Sequence, residues 1–332
     1  MWDESSTPAS APGQETRTLQ PSEPPDGFAN PAVANPAFAR DLLHTLPRRR
    51  IGSQWFYDSR GSALFEAITA LPEYYPTRTE TALLRRHAGQ MAAFLGADAT
   101  LVEYGAGSLA KVRILLGAME TPRRFKPIDV SGTFVREAAA RLRADFPHLP
   151  VEPIVASFTT RFDLSMGAGD TNPVGFFPGS TVGNLDDAEI VELLRHARRL
   201  RRFLLGIDLA KDAATLEAAY DDAQGVTARF NLNLLHRANQ EAGADFDVAS
   251  WRHVALWNAG ANRIEMHLEA RQAQSVRVAG EVFEFAEGER ILTEISRKFT
   301  PESLAPLLAA SGWELAELWV DARTPFAVLG LA

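Results

Sequence analysis

The run Glu103-Tyr104-Gly105-Ala106-Gly107 puts a carboxylate directly before two closely spaced glycines, and Lys111 follows on the same segment. Glycines at a strand-to-helix turn let the backbone approach a ligand, and the first helical N–H groups are left without partners to bind it. Gly105 to Ala110 fits the G-x-G-x-x-A form of a dinucleotide fingerprint. As a phosphate loop the segment fails, because Ala110 precedes Lys111 and Val112 follows it in place of Ser or Thr. Asp129 lies at the end of the next strand, where a carboxylate can take both hydroxyls of a ribose.

The elements that must hold these residues follow from the hydrophobic pattern. From residue 79 it alternates: a helix to about 95, a strand over 100–104, a helix from about 110, a strand over 125–130, and a helix from Ser131 to 146. Strands over 151–155 and 174–177, a helix over 186–199 and a strand over 203–208 continue it. Strands separated by helices of this length predict an α/β fold with a parallel, doubly wound sheet. Before it, Asn35 as N-cap and Pro36 at the first helical position open a short helix, and residues 61–70 form another. Pro72 and Pro76 around Glu73-Tyr74-Tyr75 predict an extended aromatic loop.

After residue 212 the alternation stops. Helices over 213–223 and 227–241 give way to strand-like runs over 254–257, 263–268, 275–278 and 282–285, an inserted α+β unit. Ile264, Met266 and Leu268 alternate with Arg263, Glu265 and His267, as in a half-buried antiparallel strand. Thr300-Pro301 opens a last helix, Gly312 closes it, and strands over 315–320 and 326–331 form an antiparallel hairpin on the sheet edge. That hairpin suits a Rossmann-like class I methyltransferase better than a dehydrogenase. So does Glu103, at a strand end that a nicotinamide fold usually keeps apolar and that methyltransferases give to an acidic residue near the positive methionine end of S-adenosyl-L-methionine.

At the level of longer motifs the chain resembles the histidine-specific Nα-methyltransferases of ergothioneine biosynthesis. The resemblance runs from about residue 37 to the end. It is carried by Phe56-Tyr57-Asp58, the segment from Leu71 to Arg78, the Gly105 to Lys111 loop, Gly179-Ser180-Thr181-Val182-Gly183-Asn184-Leu185, Ala219-Tyr220-Asp221-Asp222, Ile264-Glu265-Met266-His267-Leu268 and Thr293-Glu294-Ile295-Ser296-Arg297-Lys298-Phe299. It implies a cofactor domain (79–212 and 299–332), a substrate-binding domain (35–78 and 213–298), and a substrate held between them. It also implies that Glu103, Gly105, Gly107, Lys111 and Asp129 bind S-adenosyl-L-methionine. Tyr74, Asn184 and Tyr220 would hold the carboxylate of L-histidine, with Tyr57 and Gly179 near its amine, Glu294 and Ser296 reading its imidazole, and Met266 lining the same pocket. Relatives often carry Asp before an aromatic residue to hold the adenine amino group. Here the pair is Ser157-Phe158, which implies a serine acceptor, a stacking ring and weaker cofactor binding.

The expected reaction is methylation of the α-amino nitrogen to the trimethylated betaine hercynine. It needs an uncharged amine held in line with the methyl–sulfur bond. Tyr57 either relays the amine proton or offers its ring face to the ammonium. Glu294 and Ser296, two apart on a strand, share a face and can reach one ligand. Methylation of another amino acid or amine, and a non-catalytic S-adenosylmethionine-binding paralogue, are the alternatives.

Composition narrows the partners. A chain of 332 residues, 46% hydrophobic, can bury one large core or two smaller ones. The net charge of −8 argues against nucleic acid, which needs an excess of Lys and Arg. The absence of cysteine removes disulfides, thiolate nucleophiles and Cys-based metal sites, and the seven histidines show no metal-ligand spacing. No apolar run reaches the roughly 20 residues of a membrane span, so a cytoplasmic protein is expected; the resemblance implies a small-molecule substrate, and a monomer is expected. Seven of the twenty prolines fall before residue 37, in a Ser/Thr/Glu-rich stretch, and residues 1–34 read as a disordered tail.

Overall fold

The computed structural model describes residues 33–107, 109–158, 162, 164, 166–167 and 169–332, so the expected tail lies outside the described residues up to residue 32. Helices α1 (Pro36–Thr45), α2 (Ser59–Thr69) and α3 (Tyr75–Leu95) precede the first strand, β1 (Thr100–Tyr104). Alternation follows through α4 (Ala110–Ala118), β2 (Arg124–Asp129), α5 (Gly132–Asp145), β3 (Ile154–Val155), β4 (Pro173–Phe177), α6 (Asp187–His196) and β5 (Arg202–Asp208). Next come α7 (Ala213–Tyr220), α8 (Val226–Glu241), and the strands β6 (Trp251–Asn258), β7 (Arg263–Ala270), β8 (Gln274–Val278), β9 (Glu281–Phe285) and β10 (Arg290–Arg297). Helix α9 (Pro301–Ser311) and strands β11 (Leu315–Asp321) and β12 (Phe326–Leu331) end the chain.

Local signals place the helix starts. Asn35 Oδ1 accepts the Phe38 N–H ahead of Pro36, and Asp58 caps α2 through the Gly61 N–H. Asp186 and Glu189 form a reciprocal capping box on α6, and Gly312, at φ +77°, ends α9.

The main sheet has the order β3-β2-β1-β4-β5-β12-β11; β1 to β5 run parallel, and β12 runs antiparallel to both β5 and β11. The expected closing hairpin is present, with β12 against β5 and β11 outermost. Every residue of β1 is buried, as a central parallel strand covered on both faces requires. Its alternate residues feed two cores, Leu101 on one side and Val102 and Tyr104 on the other. A third core draws on residues from Phe38 to Tyr75 and from Leu216 to Ile291, beneath the antiparallel sheet β10-β7-β6 and the hairpin β8-β9. Strand order reverses between β1 and β4, and the crevice outside the carboxyl ends of such strands is where an open α/β sheet binds ligands.

Three expectations are corrected. The aromatic segment is not an extended loop: α3 begins at Tyr75, with Pro76 in the first turn, where its missing N–H costs no bond. The third strand shrinks to Ile154–Val155 plus a lone bridge at Val151, because Pro153 between them has no N–H to donate. The polar face of β7 is not in water. Glu265 and Glu269 are buried, the first accepting from Asn258, Arg263 and His267, the second from Arg252 and Arg290. Among the described residues no helix is long and apolar enough to cross a membrane.

Candidate active site

The turn after β1 needs its glycines. Gly105 (φ +63°) and Gly107 (φ +51°) lie in the left-handed region, and a Cβ on Gly105 would stand 3.4 Å from the Phe158 ring. The turn is tied to β2: the Gly107 N–H donates to Asp129 Oδ2 at 3.2 Å and the Ser131 N–H to Oδ1 at 2.9 Å. Burial raises the Asp129 carboxyl above its ordinary value despite these bonds. Phe158 packs edge-on against Phe177 at 5.1 Å, and Ser157 stands beside it on the wall of the same cavity.

Glu103 is 1% exposed, and its Oε2 is buried without a hydrogen-bond partner among the described residues. Its carboxyl is pushed well above the usual range, mainly by burial; Lys111 opposes that shift, and the neighbouring Glu80 and Asp129 add to it. Lys111 itself is held by Glu80, at 2.5 Å from Nζ to Oε2, and the Gly179 N–H also donates to both Glu80 oxygens, at 2.9 and 2.8 Å. Glu80 is fully buried on α3, and the sequence reading missed it.

These groups border a cavity of about 330 Å³. Glu103, Gly105, Gly107, Lys111, Asp129, Ser157 and Phe158 line it, and so do Tyr57, Tyr74, Gly179 and Asn184. The tyrosines come from the third core. Tyr57 packs edge-on to Phe65 at 5.7 Å and to Phe230 at 6.0 Å, and Tyr74 edge-on to Phe65 at 6.2 Å. Burial raises both phenols well above their ordinary value, with Glu294 among the neighbours that add to it. Gly179 (φ +84°) and Ser180 (φ +55°) turn the chain out of β4 into a 3-10 turn ending at Asn184. A Cβ on Gly183 would stand 3.0 Å from the Arg297 carbonyl, so this turn packs tightly on β10.

Tyr220, Met266, Glu294 and Ser296 adjoin the cavity without lining it. The Tyr220 ring meets Tyr74 edge-on at 6.0 Å. Glu294 is half-buried, and burial pushes its carboxyl up to about 7, against the opposing charge of Lys298. Met266 pairs in register with Glu294 but is 2% exposed, packed in the core with side chains of α7 and α8 rather than forming pocket wall. Ser296 is buried, its hydroxyl 2.7 Å from the Tyr220 hydroxyl and 2.8 Å from Lys298 Nζ. Lys298 also pairs with Asp208 at the end of β5 at 2.9 Å. The sequence reading passed over Lys298, although Glu294, Ser296 and Lys298 follow one another at a spacing of two.

The family described as "Histidine-specific methyltransferase, SAM-dependent" matches residues 38–332. The chain is similar to the "Histidine N-alpha-methyltransferase" of Mycolicibacterium smegmatis, at 44% identity over 291 residues, covering 85% of this chain and 90% of that one. The protein of the same description from Mycobacterium tuberculosis is 39% identical over 301 residues, covering 87% and 93%. The "Ergothioneine biosynthesis protein 1" of Neurospora crassa is 28% identical over 287 residues, covering 82% of this chain and 32% of that one.

Proposed function

Because the chain belongs to the family of histidine-specific, S-adenosylmethionine-dependent methyltransferases, we propose that it methylates the α-amino nitrogen of L-histidine to hercynine, as the first step of ergothioneine biosynthesis. The observation that carries this reading is one cavity lined both by the glycine turn and by Tyr57, Tyr74 and Asn184. The residues fit the cofactor: a buried carboxylate oxygen of Glu103 has no partner among the described residues, and the two glycines of the turn carry no side chain toward the cavity. When bound, S-adenosyl-L-methionine supplies an electrophilic methyl group on a sulfonium.

The chain's own residues do the rest. Glu103 would face the positive methionine end, Lys111 the cofactor carboxylate, Asp129 the ribose hydroxyls, and Ser157 and Phe158 the adenine. Tyr74, Asn184 and Tyr220 hold the substrate carboxylate with neutral donors, adding no positive charge beside a product that ends as a quaternary cation. An α-amino group with a pKa of about 8 loses its proton without a strong base. The Tyr57 phenol, raised by burial, stays protonated at neutral pH; it either passes the amine proton to solvent through its hydroxyl or offers its ring face to the ammonium. Placement therefore supplies most of the rate. Residues 35–78 and 213–298, which share the third core, form the substrate-binding part, and 79–212 with 299–332 the cofactor part.

The test is incubation of the protein with L-histidine and methyl-labelled cofactor, followed by mass analysis. A product three methyl groups heavier than histidine is expected. Equal use of histidine, tryptophan and phenylalanine would overturn the substrate assignment.

A further inference from the structure

Asp208 ends β5 completely buried, and groups from three places in the chain donate to its carboxylate. Lys211 reaches Oδ1 at 2.5 Å, and the Tyr75 hydroxyl and Lys298 reach Oδ2 at 2.6 and 2.9 Å. Each direction is fixed, since an ammonium has only protons to offer and a carboxylate only lone pairs. Both ammonium groups are fully used. Lys211 also donates to Tyr75 Oη at 2.8 Å and to the Leu209 carbonyl at 2.6 Å, and Lys298 to Ser296 Oγ at 2.8 Å and Tyr220 Oη at 3.1 Å. Asp208, Lys211, Tyr75 and Lys298 all stand outside the lining of the cavity.

The chain passes between the substrate-binding part and the cofactor part at 78–79, 212–213 and 298–299. Tyr75 opens α3, the helix that makes the first crossing; Lys211 stands just before the second, and Lys298 stands at the third. The main chain joins the same places: the Phe299 N–H donates to the Asp208 carbonyl at 2.8 Å, and the Ala210 N–H to the Phe299 carbonyl at 3.0 Å. One carboxylate thus ties all three crossings together. Parts of a chain that share a cleft move against one another unless their junction is held. Asp208 holds it, because a swing of any partner leaves charge unpaired away from water.

We propose that Asp208 is a positioning residue: through Tyr75, Lys211 and Lys298 it sets the two parts at one mutual angle, so that the amine held by one meets the methyl group held by the other in line. It touches neither ligand. This rests on the division of the chain into those two parts and on the histidine reading above. Methyl transfer is sensitive to such an angle, since a misplacement of about 1 Å can cost about a hundredfold in rate.

The test cuts ties without unbalancing charge. Asp208→Asn would strand two buried ammonium groups, whereas Tyr75→Phe and Lys211→Met leave Asp208 and Lys298 as a balanced pair. The chain has no cysteine, so spin labels on Ala140→Cys in α5 and Gln240→Cys in α8, both exposed positions, report one distance between the parts by pulsed electron resonance. Ligand-free protein with the wild-type ties should give one narrow distance distribution. Tyr75→Phe and Lys211→Met should each broaden it, and the double variant should broaden it most. In the double variant kcat/KM for histidine should fall about tenfold or more, while the cofactor, whose proposed contacts all lie on one part, keeps its Kd within about twofold. That Kd also shows that the variant is folded. Val276→Ala, in the buried core under β8, is the control for lost stability alone: it should lower Tm and keep both the distribution and kcat/KM. A cofactor-binding double variant with wild-type distances, or with wild-type kcat/KM, overturns the proposal, as does equal broadening in Val276→Ala. If wild type leaves histidine unmethylated, the function reading fails instead, and the distances still decide whether Asp208 fixes the angle.

Discussion

Two carboxylates with different surroundings carry the sharpest expectations for single residues. Glu294 stands in the aromatic environment of Tyr57, Tyr74 and Tyr220. Replacing it by Ala should lower kcat/KM for histidine about ten- to several-hundred-fold, mostly through KM, and relax the exclusion of tryptophan and phenylalanine, with cofactor affinity unchanged. Steady-state kinetics with the three amino acids checks this. Asp129 is bound to the glycine turn through two backbone N–H groups, so Asp129→Ala removes a ligand contact and loosens the turn together. Calorimetry should show cofactor binding lost in Asp129→Ala and tightened in Ser157→Asp, where a carboxylate faces the adenine amino group. An unchanged affinity in Ser157→Asp would remove Ser157 from the adenine site.

At the scale of elements, the approach of β5 to α3 sets the cofactor end. A Cβ on Gly206 of β5 would stand 2.2 Å from Glu80 Oε1 and 3.3 Å from the Gly179 N, so only glycine leaves room for the carboxylate there. Gly206→Ala should displace Glu80, release Lys111 and the Gly179 N–H, and weaken cofactor binding about tenfold, with a stability loss of about 1–3 kcal/mol from overpacking. Glu80→Gln should weaken binding while thermal stability falls less, and titration beside thermal melts separates the two effects. None of this was legible from periodicity. Glu80 reads as one polar position on a helix, and its burial exists only because β5 lacks a side chain opposite it.

For the whole molecule the unliganded site makes stability depend on pH. The Glu294 carboxyl titrates near 7 in the folded chain and near its ordinary 4.5 when unfolded, so the folded state holds a proton the unfolded state has released. Its contribution to stability is present below about pH 4.5 and is lost as the pH rises through about 7. Glu103 and Asp129, both raised by burial, act with the same sign. Between about pH 5 and pH 8 the ligand-free wild type should lose about 2–4 °C more in Tm than Glu294→Gln, in which that titration is absent.

The parallel sheet, its closing hairpin, the glycine turn with Glu103 and Asp129, and the helix starts at Asn35 and Thr300 were all readable in the chain. Each rests on local physics: alternation of apolar residues, capping side chains and backbone angles that only glycine adopts freely. Tertiary structure decided what depends on distant segments meeting. It buried Met266 in the core, drew Tyr75 into α3, and set Lys111 on Glu80, which lies 31 residues earlier. It also joined Tyr220, Ser296, Lys298 and Asp208 into one hydrogen-bonded group. A sequence names the donors and acceptors a chain owns, but which of them are spent on one another depends on distances of about 3 Å that only packing sets.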